Sequence, residues 1–119
     1  MAERANTGVA IITDEQVEQA LDYLRDSAKH AAIARSNAKT LEKYLGVVEA
    51  EQKALQRGLS NAAAQDSARA SPEYKTALEG WREAVRQDSE YTMLREAASA
   101  RIEAWRSMSA NNRTMERIR

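Results

Sequence analysis

The 119-residue chain has no cysteine and no phenylalanine, one proline, one histidine and four glycines. Without cysteine there is no disulfide, thiolate zinc site, iron–sulfur cluster or thiol nucleophile. One histidine, His30, cannot build a typical zinc site alone, and it reads as a surface or seam residue. So little proline and glycine excludes a collagen-like chain or a Pro/Gly-rich disordered tail. The 18 basic and 18 acidic residues cancel, so no net field draws the chain to nucleic acid or a membrane. No apolar run reaches the ~18–20 residues of a membrane span. Near the start only Val9-Ala10-Ile11-Ile12 is continuously apolar, too short for the core of a signal peptide. These absences predict a cytoplasmic protein with no membrane contact.

Catalytic patterns are also missing. Neither GxxxxGK[ST] nor GxGxxG occurs, so no nucleotide loop is expected. The Glu-x-x-His of a di-iron bundle is absent, because Ser27 stands three residues before His30. The carboxylate pairs Asp14/Glu18, Glu18/Asp22 and Glu79/Glu83 read as solvated helix faces. The expectation is therefore no enzyme, no cofactor, no metal and no small-molecule substrate.

What the chain does have is 23 alanines, 43% hydrophobic residues and 30% charged ones, a helix-rich composition for a single domain. Residues 1–12 read as a flexible lead-in. Thr13 suits an N-cap with Gln16 three residues on, a capping box, and Ile12 and Val17 suit a hydrophobic staple. Apolar positions then follow a coiled-coil rhythm: Val17, Leu21, Leu24, Ala28, Ala31, Ala34, and on through Leu41, Leu45 and Val48 to Leu55 and Leu59. Two successive steps of three at 28–31–34 predict a stammer that overwinds the supercoil. Gly58 is either tolerated inside one long helix or caps it, with a short third helix from Ser60 to Arg69 following. Ser71-Pro72-Glu73 supplies an N-cap, a first-turn proline and an acidic first turn.

The fold class expected is all-α. A helix over about 13–68, a turn over 69–72 and a helix over about 73–115 form a long antiparallel, coiled-coil-like hairpin within 13–119. The second helix carries a seam through Tyr74, Leu78, Trp81, Val85, Leu94 and Trp105. A turn near residue 70 places residue i opposite about 140 − i. That sets Trp81 by Leu59, Leu94 by Gly46 and Trp105 by Arg35. Leu45, Leu55, Leu59, Leu78, Val85 and Leu94 are the expected buried positions. One seam cannot cover Tyr23, Tyr44, Trp81, Tyr91 and Trp105 together, which makes these the candidate oligomer interface. The expected partner is a second copy, giving a helical-bundle homo-oligomer.

Charge is unevenly spread. Residues 1–24 carry −4, residues 25–43 carry +3 and residues 97–119 carry +3. The 140 − i register brings the two basic segments together. Arg101, Arg106, Arg113, Arg117 and Arg119 are then candidate contacts for nucleic acid or an acidic protein partner.

The runs Ser71-Pro72-Glu73-Tyr74, Ala77-Leu78-Glu79-Gly80-Trp81 and Arg101-Ile102-Glu103-Ala104-Trp105-Arg106-Ser107 resemble small, uncharacterised all-helical bacteriophage and prophage proteins. The resemblance covers about residues 60–110 and transfers no functional residue. It implies a phage protein of the host cytoplasm, linked to DNA recombination or replication. The leading functional expectation is a non-enzymatic helical accessory protein acting through a protein partner. The alternatives are a nucleic-acid-binding accessory protein, an inhibitor of a host defence or host enzyme, and a virion structural or assembly component.

Overall fold

A computed structural model describes residues 11–118. It is all-α, with three helices and no strand among the described residues: α1 (Asp14–Ala54), α2 (Asn61–Arg69) and α3 (Pro72–Ile118). None of these helices is long and apolar enough to cross a membrane. The lead-in expected over 1–12 lies mostly outside the described residues.

Local chemistry explains each boundary. The Thr13 amide donates to Gln16 Oε1 at 3.0 Å, and the Gln16 amide donates to Thr13 Oγ1 at 3.1 Å. This reciprocal capping box satisfies two donors that the first turn of α1 leaves open. Asp14 and Glu15 add negative charge at the positive end of the helix dipole. The single long first helix expected to residue 68 is not formed. The chain leaves α1 after Ala54, and Gly58 takes φ = 78°, a left-handed conformation that glycine adopts without a Cβ clash. Ser60 then caps α2, its hydroxyl accepting from the Ala63 amide. Ser71 caps α3 in the same way, accepting from the Tyr74 amide, and Pro72 fills the first helical position.

The chain divides into two compact units. Unit 1 is formed from the described parts of Met1–Ala28 and Met93–Arg119; unit 2 is Lys29–Thr92. In each, α1 and α3 run antiparallel. In unit 1, Trp105 Nε1 donates to Asp14 Oδ1 at 2.9 Å, and Arg95 Nη1 donates to the Leu24 carbonyl at 2.8 Å. In unit 2, Arg35 pairs with Asp88 at 3.4 Å and donates to Thr92 Oγ1 at 3.2 Å. Facing residue numbers therefore add to between 119 and 127, not 140. The reason is the end of α1 at Ala54, which moves the centre of the connection from near 70 to near 63. Trp105 consequently meets Asp14 instead of Arg35. Gly46 has no neighbour that an added Cβ would meet, so it does not receive Leu94.

The contact seam is an unbroken heptad in both long helices. On α1 it follows Val17, Ala20, Leu24, Ser27, Ala31 and Ala34, then Ala38, Leu41, Leu45, Val48 and Gln52, each buried or half-buried. The stammer disappears, because Ala20 and Ser27 are inside where Leu21 and Ala28 were expected. On α3, Ala77, Ala84 and Ala98 are buried; Leu78 and Val85 are half-buried beside them, and Leu94 is half exposed. Leu55 and Leu59 are exposed too, since α1 ends before their heptad positions. Among the described residues the buried apolar ones are all Ala or Val, and no larger side chain is fully enclosed.

α2 packs by Ala64 and Ala68, and an ion pair between Arg69 and Glu49 of α1 holds it, with Gln65 Nε2 also donating to that carboxylate. The hydrogen bond from Arg69 lowers the pKa of Glu49 below its ordinary value. A depressed carboxylate contributes stability above its unfolded pKa, and that contribution fades as pH falls through the folded value. Amide exchange at pH 3, corrected for its intrinsic rate, is therefore expected to show less protection over 61–69 than at pH 7. In Glu49→Gln that pH difference should shrink; equal pH responses in the two proteins would refute the clamp.

Candidate protein interface

The heptad leaves one side of the seam covered and the other open. In unit 2, α1 residues one position after the seam are engaged: Arg35 by Asp88 and Thr92, and Glu49 by α2. Residues one position before it form the open side. There, Tyr44, Val48 and Glu51 of α1 line a groove with Pro72, Glu73 and Thr76 of α3. Unit 1 has its own groove, lined by Gln19, Ala20 and Tyr23 of α1 and by Leu94, Ala97 and Arg101 of α3.

The five candidate aromatics separate into two groups on this frame. Trp81, Tyr91 and Trp105 occupy seam positions of α3 and are half-buried. Along that row they are interspersed with the buried Ala77, Ala84 and Ala98. The Trp81 indole N–H is shielded from water without a hydrogen-bond partner among the described residues. Tyr23 and Tyr44 lie on the open side instead. Tyr44 is 50% exposed, and the Tyr23 hydroxyl is shielded with no partner among the described residues.

The candidate arginines also separate. Arg101 lies on the unit 1 groove, and Arg106 Nη1 pairs with Glu103 at 2.9 Å on its own helix. Arg113 and Arg117 are exposed on the last turns of α3, and Arg119 lies outside the described residues. Within unit 1, α3 around Ala98–Trp105 faces α1 around Asp14–Tyr23. That stretch of α1 contains Asp14, Glu15, Glu18 and Asp22, so an acidic segment stands where a second basic one was expected. Among the described residues no group of three His, Asp or Glu side chains is placed to hold a metal ion.

On α3, Arg86 joins Glu83 and Glu90 at 2.7 Å each. Its hydrogen bond, with one from Gln87, lowers the Glu83 pKa to about 2. All three residues are exposed, and such pairs contribute little stability in water. They mark the outward face of α3.

No family model matches the chain, and no curated protein or solved structure is significantly similar to it.

Proposed function

We propose that the chain is a helical protein-interaction module that self-associates and acts by presenting a helix face to a partner rather than by chemistry. The observation that carries this reading is the inversion of its apolar residues. The buried apolar residues of the seam are Ala and Val, with Leu24, Leu41 and Leu45 only half-buried, while Leu21, Ile33, Tyr44, Val47, Met93 and Leu94 are about half exposed or more.

The phosphate-binding alternative is less supported, since Arg101 faces the acidic stretch of α1 and Arg106 is already paired. Light scattering after gel filtration at micromolar concentration is the test. A mass of at least two chains is expected, and a monodisperse, helical monomer would overturn the proposal.

A further inference from the structure

Shifting the α1 seam back by one residue gives positions 30, 33, 37, 40, 44, 47, 51 and 54, a second row about 100° around the helix. All of them belong to unit 2. Seven of these eight are uncharged at neutral histidine, the exception being Glu51. The seven seam positions between Ala31 and Gln52 carry no charge at all. The eleven positions left over from Lys29 to Lys53 carry seven charges. Charge is therefore kept off two faces of α1, and only one of them is covered by α3. The second row repeats every 3.5 residues, as the first does, which is the period that fits another helix in coiled-coil contact. At its centre Ile33, Tyr44 and Val47 are 49%, 50% and 50% exposed, with Asn37 and Thr40 between them.

We infer that this row is the docking face for a second copy of the chain, whose own α1 lies antiparallel on it about a two-fold axis. The inference rests on the self-association proposed above and gives it a surface. A second copy is the occupant because the row is complementary to itself. With the axis between Asn37 and Thr40, Ile33 meets Tyr44 and His30 meets Val47, so apolar groups face apolar or uncharged ones. On the flank, Lys43 comes opposite Ser36 and Lys29 opposite Ala50. Moving the axis by half a heptad either way sets lysine against lysine, Lys29 on Lys43 or Lys43 on itself. The cost of the chosen register is an approach of Asp26 to Glu51 at each end, where both are exposed and screened.

The absence of native cysteine makes the test clean. Asn37→Cys, Thr40→Cys, Ala54→Cys and, on the outward face, Ala32→Cys are made separately and treated with a short bis-maleimide. Asn37→Cys and Thr40→Cys are expected to give covalent dimers. Ala54→Cys should not, because its two copies lie about 45 Å apart along the axis. Ala32→Cys should not either. In parallel, Tyr44→Lys/Val47→Glu is expected to give a monomer by light scattering, with the helical circular dichroism of the parent. If the parent is itself a monomer, both this inference and the proposed self-association fall. If the parent is a dimer and the double variant remains one, or if Ala54→Cys or Ala32→Cys cross-links as readily as Thr40→Cys, self-association stands and this face is not its site.

Discussion

Ala84→Leu should unfold more easily than the parent by about 1–3 kcal/mol, whereas Leu55→Ala should change stability by less than about 0.5 kcal/mol. This reverses the usual order, in which truncating a leucine is the damaging change. Ala84 is a buried seam residue of α3 with Trp81 and Asp88 beside it in the same row. Ala84 is 7% exposed, so three extra carbons there press the helices apart or force the side chain from its rotamer. Leu55 lies just past the end of α1 and is 69% exposed, so its removal opens no cavity. At about 4 °C per kcal/mol, Ala84→Leu should lower Tm by roughly 4–12 °C. Both variants must be measured at one protein concentration, because association shifts the midpoint. A Leu55→Ala loss as large as that of Ala84→Leu would mean that large side chains, not alanines, form the seam.

The same inversion explains what could be read from the sequence and what could not. Helix class, the capping box at Thr13 and Gln16, and the start of α3 at Ser71-Pro72 follow from residue type and spacing, because caps and proline act within one turn. The heptad was legible as well. Leu21, Leu78 and Val85 each stand next to the residue that is buried, Ala20, Ala77 and Ala84, and Leu94 stands next to the half-buried Arg95. Choosing the larger apolar residue is sound for a thick core, where burial scales with area. It fails in a seam whose enclosed residues are Ala and Val. The register was missed for a different reason. It depends on where α1 stops, and the stop is made by Gly58 and the Ser60 cap, whereas the stretch from Asn61 onward has helix propensity of its own. A break between two helix-forming stretches is invisible to propensity summed over a window. The separation of Tyr23 and Tyr44 from the other aromatics became legible only with the corrected heptad.

Arg95→Met should destabilise unit 1 by about 1.5–3 kcal/mol, and Ser27→Ala by about 0.5–1.5 kcal/mol. The two together should cost less than their sum by about 0.5–1.5 kcal/mol. Arg95 occupies a seam position of α3 and is half-buried, an unusual place for a guanidinium. Its Nη1 donates to the Leu24 carbonyl at 2.8 Å and to Ser27 Oγ at 2.7 Å. Ser27 is the buried polar residue of the seam, at 5% exposure, so without Arg95 its hydroxyl loses a charged donor in a place water does not reach. Methionine keeps the length and most of the packing, which isolates the polar contribution. A seam whose most enclosed apolar residues are alanines and valines has few features to distinguish one register from the next. A charged donor fixed to one carbonyl and one hydroxyl supplies that distinction, as a polar core residue does in other coiled coils. Arg95→Met should therefore also loosen the pairing in unit 1. The Trp105–Asp14 bond then loses its alignment, and the Trp105 fluorescence maximum moves to the red at temperatures where the helices still persist. Strict additivity in the thermal double-mutant cycle, with an unchanged Trp105 spectrum in a Trp81→Phe background, would show that Arg95 rests on unit 1 without pinning it.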